Sequence, residues 1–386
     1  VKKILFFSVA CLLIATTARA ENPDQEISDI SNRLNNTPST AGQSDSRSLG
    51  LLQYPINPTS SFQKMLPDIS LVTTMAGAYF TQDPTGPTGV DPSQTGFNLQ
   101  EIELALQSVI DPYFRADVML TFSTDSYELE EGYFTTLDLV KGFQVRGGKL
   151  RIPFGRQNPK HLEQWDFVDN TLITKDLLGV DGLKELGVEA SYLFPTPFFL
   201  QLQGTFSNNN DAVSFGGLQK KDFLYEGRLS TSFDTSQNTS ILIGGSGAFG
   251  YNPSFAGAET KMFGGDFLMK WKPKAYRAIT WQSEYLFRSY EDSPGTYQRD
   301  GGLYSYVDYQ FLKRWHAGIR YDQLGLPESL IAKEYRVTPA ITFNPTEFTR
   351  LRLQYEFDKT TASNNTAQSA FLQVEFSMGP HGAHPF

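Results

Sequence analysis

The sequence predicts an all-β protein, a transmembrane antiparallel β-barrel of about sixteen strands. Three observations carry this. From residue 68 onward, segments of about nine to fourteen residues alternate apolar with polar or small residues. The connections between them alternate short and long. Aromatics make up 13 % of the chain, with 30 Phe and 18 Tyr, and they gather at segment ends beside short turns. The charged fraction, 19 %, lies below the roughly 25 % usual in soluble domains. A net charge of −9 argues against a nucleic-acid partner.

The start of the chain reads as an address. Residues 1–20 combine Lys2 and Lys3, the apolar run Ile4 to Ala15, and Ala18-Arg19-Ala20 before Glu21. That is the pattern of a secretory signal, since the apolar run is too short to span a bilayer. The one cysteine, Cys11, lies inside it, so the processed chain is expected to have neither disulfide nor thiol chemistry. Residues 21–67 form a separate periplasmic segment. Ile27, Ile30 and Leu34 stand at helical spacing, followed by a small-polar linker over residues 37–48. A short coiled coil and a disordered tail both fit that segment.

The barrel is expected over residues 68–378, with a tail at 379–386. The sixteen segments fall at 68–82, 97–110, 113–123, 129–138, 142–154, 185–194, 198–207, 222–233, 239–250, 261–272, 277–290, 301–311, 314–324, 334–344, 347–358 and 367–378. Thr349 to Phe357 is the clearest. Leu351, Leu353, Tyr355 and Phe357 fall on one face, and Arg350, Arg352, Gln354 and Glu356 on the other. A helix would scatter these residues around its axis, whereas a strand separates them. Asp111-Pro112, Pro195-Thr196-Pro197 and Asn344-Pro345-Thr346 mark short turns. Residues 82–96, 155–184 and 208–221 mark long loops. Phe194, Phe198, Phe233, Trp271, Phe311, Trp315 and Phe343 stand beside short turns, where amphipathic rings form a girdle at the membrane–water boundary.

If the apolar faces meet lipid, the other faces line the interior. Basic and acidic residues balance there, so neither a cation-lined nor an anion-lined pore is indicated. Arg115, Lys149 and Arg151 fall on the inner face of early strands. Arg320, Arg336, Arg350 and Arg352, with His316, gather on one late wall. The connection 155–184 is the longest, and loops of this length are commonly functional. It carries Trp165, Phe167, Leu172, Ile173, Leu177 and Leu178 for packing, together with Glu163, Asp166, Asp169, Asp176 and Asp181. The expectation is a constriction loop that folds into the barrel and presents carboxylates to the arginine wall. A loop that covers a subunit interface or the barrel mouth is the alternative.

Other motifs carry less. Gly245 to Gly250 matches G-x-G-x-x-G, but Tyr251-Asn252-Pro253 follows where a dinucleotide site needs a helix. His381 and His384 in the tail form a two-histidine pair short of a closed metal site. No metal and no cofactor are expected. His316 is the one histidine that could serve a barrel hydrolase, yet no serine is singled out near it, and no enzyme is expected.

Glu130-Glu131-Gly132-Tyr133, the run Gly148 to Pro159 (GKLRIPFGRQNP) and residues 99–122 resemble the phosphate-selective porin O/P family. The resemblance is good over residues 68–207 and extends beyond only as strand rhythm. It implies a sixteen-stranded homotrimeric porin with a loop folded into the channel. That family's selectivity uses a dense basic lining, and this lining is balanced. The stretch 161–169 and the tail GPHGAHPF are also similar to a porin-like subgroup named as zinc-regulated outer-membrane receptors. The sequence thus leads to an outer-membrane diffusion porin, with outer-membrane lipid, small hydrophilic solutes or ions, and copies of itself as partners. Arg115, Lys149, Arg151, Glu163, Asp166, Asp169, Arg320, Arg336, Arg350 and Arg352 would line its constriction. A closed-lumen binding or structural barrel, linked to zinc or another metal, is the alternative.

Overall fold

A computed structural model describes residues 67–84, 88–137, 139–210, 213–327, 333–361 and 366–379. The expected signal, the N-terminal segment up to residue 66, and the tail with His381 and His384 lie outside the described residues. Sixteen strands form: β1 (Asp68–Phe80), β2 (Gly96–Val109), β3 (Phe114–Phe122), β4 (Tyr127–Thr136), β5 (Phe143–Arg151), β6 (Lys184–Leu193), β7 (Phe199–Ser207), β8 (Leu224–Ser236), β9 (Thr239–Tyr251), β10 (Glu259–Lys274), β11 (Arg277–Ser293), β12 (Thr296–Leu312), β13 (Trp315–Leu324), β14 (Glu334–Thr346), β15 (Thr349–Thr360) and β16 (Thr366–Met378). Each pairs antiparallel with its sequence neighbours. β1 and β16 close the ring over the register Leu71↔Met378 to Phe80↔Ser369.

Burial follows the two-residue period in the sense opposite to that of a soluble protein. On β15, Arg352, Gln354 and Glu356 are buried, while Leu353 is 57 % exposed. Phe97, Leu186, Phe263, Ile319 and Leu372 are likewise more than half exposed. An exterior this apolar, on a closed ring with no open sheet edge, is the architecture of an outer-membrane barrel. At the short-turn end, Trp315 stacks on Phe343 with centroids 4.5 Å apart. Phe198, Phe233 and Trp271, at other short turns, are exposed as well. No helix among the described residues is long and apolar enough to cross a membrane.

Two departures from strict alternation matter for the site. Between Thr74↔Glu101 and Met75↔Leu99 the register skips Gln100. Between Met119↔Glu131 and Leu120↔Leu129 it skips Glu130. Each is a β-bulge, which lets two adjacent side chains turn to the same face. Gln100 and Glu101 are both buried, as are Glu130 and Glu131.

A third departure is at β12. The sequence pattern starts this strand at residue 301, but β11 and β12 stay paired out to Ser293↔Thr296. The connection there is a turn at Pro294-Gly295, with Gly295 at φ 77°. Polar residues on both sides of a ribbon that extends beyond the apolar belt hide the alternation, so the expected loop is a hairpin.

The apolar core lies where the connection between β5 and β6 meets inward strand residues. Ile152, Phe154, Phe167, Ile173, Leu177 and Leu183 pack with Leu224, Met262, Leu286 and Tyr304. Within this connection, α1 (Leu172–Leu178) starts at Thr171, whose hydroxyl accepts from the Thr174 amide at 3.4 Å. It ends at Gly179 with φ 90°. The base of the connection is tied by Asn158. Its side-chain amide donates to the carbonyls of Ile152 (2.7 Å) and Leu183 (3.1 Å), and its oxygen accepts from the Leu183 amide (2.7 Å). At Gly155, φ is 68° and a Cβ would stand 1.7 Å from Glu284 Oε1, so only glycine allows this turn against the wall.

Leu353→Arg puts a charge on the lipid face in the middle of β15. It is expected to destabilise the barrel by about 2–4 kcal/mol, read by denaturant unfolding of protein folded into lipid bilayers. A change within error would place this face away from lipid.

Candidate functional site

A wall of buried polar side chains is stable only when each finds a partner. The late wall shows how this is met. Asp169 accepts from Arg320 Nη2 at 2.7 Å and Arg336 Nη1 at 2.9 Å. Gln354 Nε2 donates to its other oxygen at 2.7 Å. Arg320 also binds Asp322 at 2.7 Å and stacks over Phe167 at 4.8 Å. Arg352 donates to the Trp165 carbonyl and to Gln373 Oε1, each at 2.8 Å. The Val168 amide donates to Gln354 at 2.8 Å. Burial opposes the charge of Asp169, but Arg320 and Arg336 outweigh it and hold this carboxyl well below the usual carboxylate range.

The expected site residues therefore divide. Asp169, Arg320 and Arg336 come together in direct contact, and Arg352 joins them through the backbone of the connection. Asp166 reaches a different part of the wall, binding Lys160 at 3.1 Å and the Tyr306 hydroxyl at 2.5 Å. Arg350 pairs with Glu375 on β16. Arg115 pairs with Asp117 at 2.9 Å. Lys149 binds Glu128 at 2.8 Å and the Leu129 carbonyl at 2.7 Å. Arg151 pairs with Glu130. Glu163 lies in a separate cluster with His161. His316, singled out for a hydrolase, binds Asp308 at 2.8 Å.

A cavity of about 540 Å³ adjoins the connection. Gln107, Gln144 and Phe199 bound it toward the short-turn end, and Arg156, Lys160 and Glu163 bound it on the connection side. Its charges are mostly committed. Arg146 binds Glu189 at 2.5 Å, and Arg228 binds Asp266 at 2.7 Å. Arg156 donates to the neutral Gln282 at 3.0 Å.

Sequence reasoning missed the second cluster. His161 Nε2 stands 2.8 Å from Glu131 Oε2. Its Nδ1 is 2.9 Å from Glu103 Oε2 and 3.3 Å from Glu130 Oε2. Burial disfavours a charged ring here, but Glu130 and its neighbouring carboxylates outweigh it and raise the imidazole well above its ordinary value. The visible signal was the pair Glu130-Glu131, two acids in a row inside an alternating strand.

Sidedness of burial, ring closure and a polar interior define an outer-membrane β-barrel. Solved structures share that fold. The anion-selective porin from Comamonas acidovorans is similar with a TM-score of 0.58 and 10 % identity, over 81 % of this chain and 99 % of that one. The outer-membrane channel DcaP of Acinetobacter baumannii is similar with a TM-score of 0.55 and 10 % identity, over 81 % and 97 %. OmpT of Vibrio cholerae, in its trimer form, has a TM-score of 0.54 and 9 % identity, over 81 % and 99 %. No protein-family profile matches the sequence. The chain belongs to the same family as an uncharacterized protein of Aquifex aeolicus (strain VF5), 36 % identical over 340 residues, which cover 75 % of this chain and 70 % of that protein.

Asp169→Asn leaves two buried guanidinium groups short of a counter-charge and should cost about 3–5 kcal/mol. A depressed carboxyl stabilises the fold above the unfolded value, about 3.9, and loses that contribution only as pH falls through the lower, folded value. The gap in melting temperature between the native protein and Asp169→Asn is thus expected to hold constant from pH 7 to pH 5. A gap that closes over this range would mean that Asp169 is not clasped by the arginines.

Proposed function

We propose that the protein is a passive diffusion channel of the bacterial outer membrane for small hydrophilic solutes or ions, narrowed by the connection 152–183. The observation that carries this reading is the span of that connection. It leaves β5 and binds Ser246 on β9 through the Gly155 amide at 3.0 Å. It then meets Gln282 on β11 and Tyr306 on β12, and reaches Arg320, Arg336 and Arg352 on β13, β14 and β15. A segment that runs between those walls divides the lumen and sets its width. The cavity beside it supplies a polar path on the short-turn side.

The charge arrangement supports weak ion selectivity. Arg320, Arg336 and Arg350 are neutralised by carboxylates, so the arginine wall works chiefly as the anchor of the connection. This favours general passage over the phosphate preference that the family resemblance implies. A homotrimer is part of the proposal, supported by the trimer form of the OmpT relative in fold. The second reading, a barrel closed by the connection and used for binding, draws on the complete burial of Arg320 beneath it.

Planar-bilayer recording of the refolded protein under a salt gradient separates the readings. Stepwise conductance with a reversal potential near zero is expected. Deleting Lys160 to Asp176 should raise the step size. Steps of unchanged size would remove the constriction, and silence from a folded barrel would favour the closed one.

A further inference from the structure

We propose that Glu103, His161 and Glu163 form a binding site for one divalent transition-metal ion of the zinc type. The site borders the cavity, which Glu103, His161 and Glu163 all line. One donor atom from each of these three lies within 4.8 Å of the others. Metal binding is measured without any conductance, so this proposal and the channel reading can fail separately.

The second, independent observation concerns the donor atoms. Glu103 Oε2, Glu130 Oε2 and His161 Nδ1 are buried, and beyond the ion-pair contacts among themselves none has a hydrogen-bond partner. Their residues are 7 %, 3 % and 6 % exposed. Three polar atoms this deep cost free energy unless something joins them. They converge on one point, with Nδ1 2.9 Å from Glu103 Oε2 and 3.3 Å from Glu130 Oε2. Donors bound at about 2.1 Å in a tetrahedron stand about 3.4 Å apart. At 2.9 Å apart, the Glu103 and His161 donors need to open by about 0.5 Å to reach that separation.

The ring is also set up for it. Nε2 faces Glu131 at 2.8 Å, and Glu131 is itself fixed by the Arg151 amide at 2.7 Å. A carboxylate on one ring nitrogen turns the other outward as a ligand and raises its basicity. Glu131 is thus a positioning residue. An imidazole among carboxylates suits zinc-like ions over magnesium or calcium. Charge points the same way. Glu101, Glu103, Glu130, Glu131 and Glu163 gather here against Arg151, Lys184 and the protonated His161 ring, and a dication that displaces the ring proton would keep the carboxylates countered. On binding, the metal takes the place of the proton on Nδ1, which leaves to solvent. Because His161 and Glu163 belong to the connection and Glu103 to the wall, the ion would pin one to the other.

Titration calorimetry of the refolded full chain with Zn²⁺ alone tests this. One ion per chain is expected. Glu103→Gln and His161→Ala should each weaken binding at least about tenfold, and Glu131→Gln about tenfold through ring orientation. His381→Ala with His384→Ala should leave it unchanged. Retained heat-modifiability shows that each variant still folds. Zinc-edge X-ray absorption on the native protein, which needs no variant, should show one imidazole and carboxylate oxygens. Three results would overturn the proposal: no stoichiometric binding, binding that survives both Glu103→Gln and His161→Ala, or a zinc ion without an imidazole ligand. An imidazolium would then hold the cluster together instead.

Discussion

The pairing of β1 with β16 is the constraint on which everything else rests. Lipid offers no hydrogen bonds, and each unmet backbone group there costs several kcal/mol. Closing the ring from Leu71↔Met378 to Phe80↔Ser369 leaves no edge. Once closed, the sheet has only an outside and an inside. Leu353 and its kind can then face lipid, and the polar half of every strand must turn inward.

That inversion creates the second problem, a crowd of charged side chains in a confined space. The molecule resolves it by supplying partners from across the barrel. Asp169 and the Trp165 carbonyl come from the connection between β5 and β6, while Arg320, Arg336 and Arg352 come from the far wall. The connection and the wall are therefore mutually dependent. Asp169 serves Arg320 and Arg336 together, beside the wall's own Asp322 and Asp358, and His161 gives the connection a second polar anchor among Glu103, Glu130 and Glu131. Asn158 fixes the near end of the connection, and Gly155 lets it pass Glu284.

Much of this is legible in the residues. Period-two alternation carries the barrel because lipid and lumen impose opposite demands on adjacent side chains. The long connection stands out because it mixes aromatics with acids, and Asp169 and Arg320 are both visible in the residues, though not as a pair. Which acid would meet which arginine was hidden, since Asp166 and Asp169 differ only by where a loop path places them. The start of β12 was hidden for another reason. A ribbon that extends beyond the apolar belt has two wet faces, so it shows no alternation to read. The His161 cluster was hidden because strict alternation sends Glu130 outward.

The bulges at Gln100 and Glu130 also work as frameshifts in the two-residue code of their strands. On β2, the extra residue lets Glu101 face inward while Phe97, 85 % exposed, still faces out. On β4, it does the same for Glu131 and Leu129. Pairing the same residues as a regular ladder, without the bulge, would invert every side chain from there to the strand's outer end, whereas removing the extra residue itself would restore the ladder with every other facing kept. Deleting the extra residue would therefore remove one inward side chain and change no other residue's face. Each bulge is thus the means by which a strand places one more side chain on the inner surface than its alternation alone would supply.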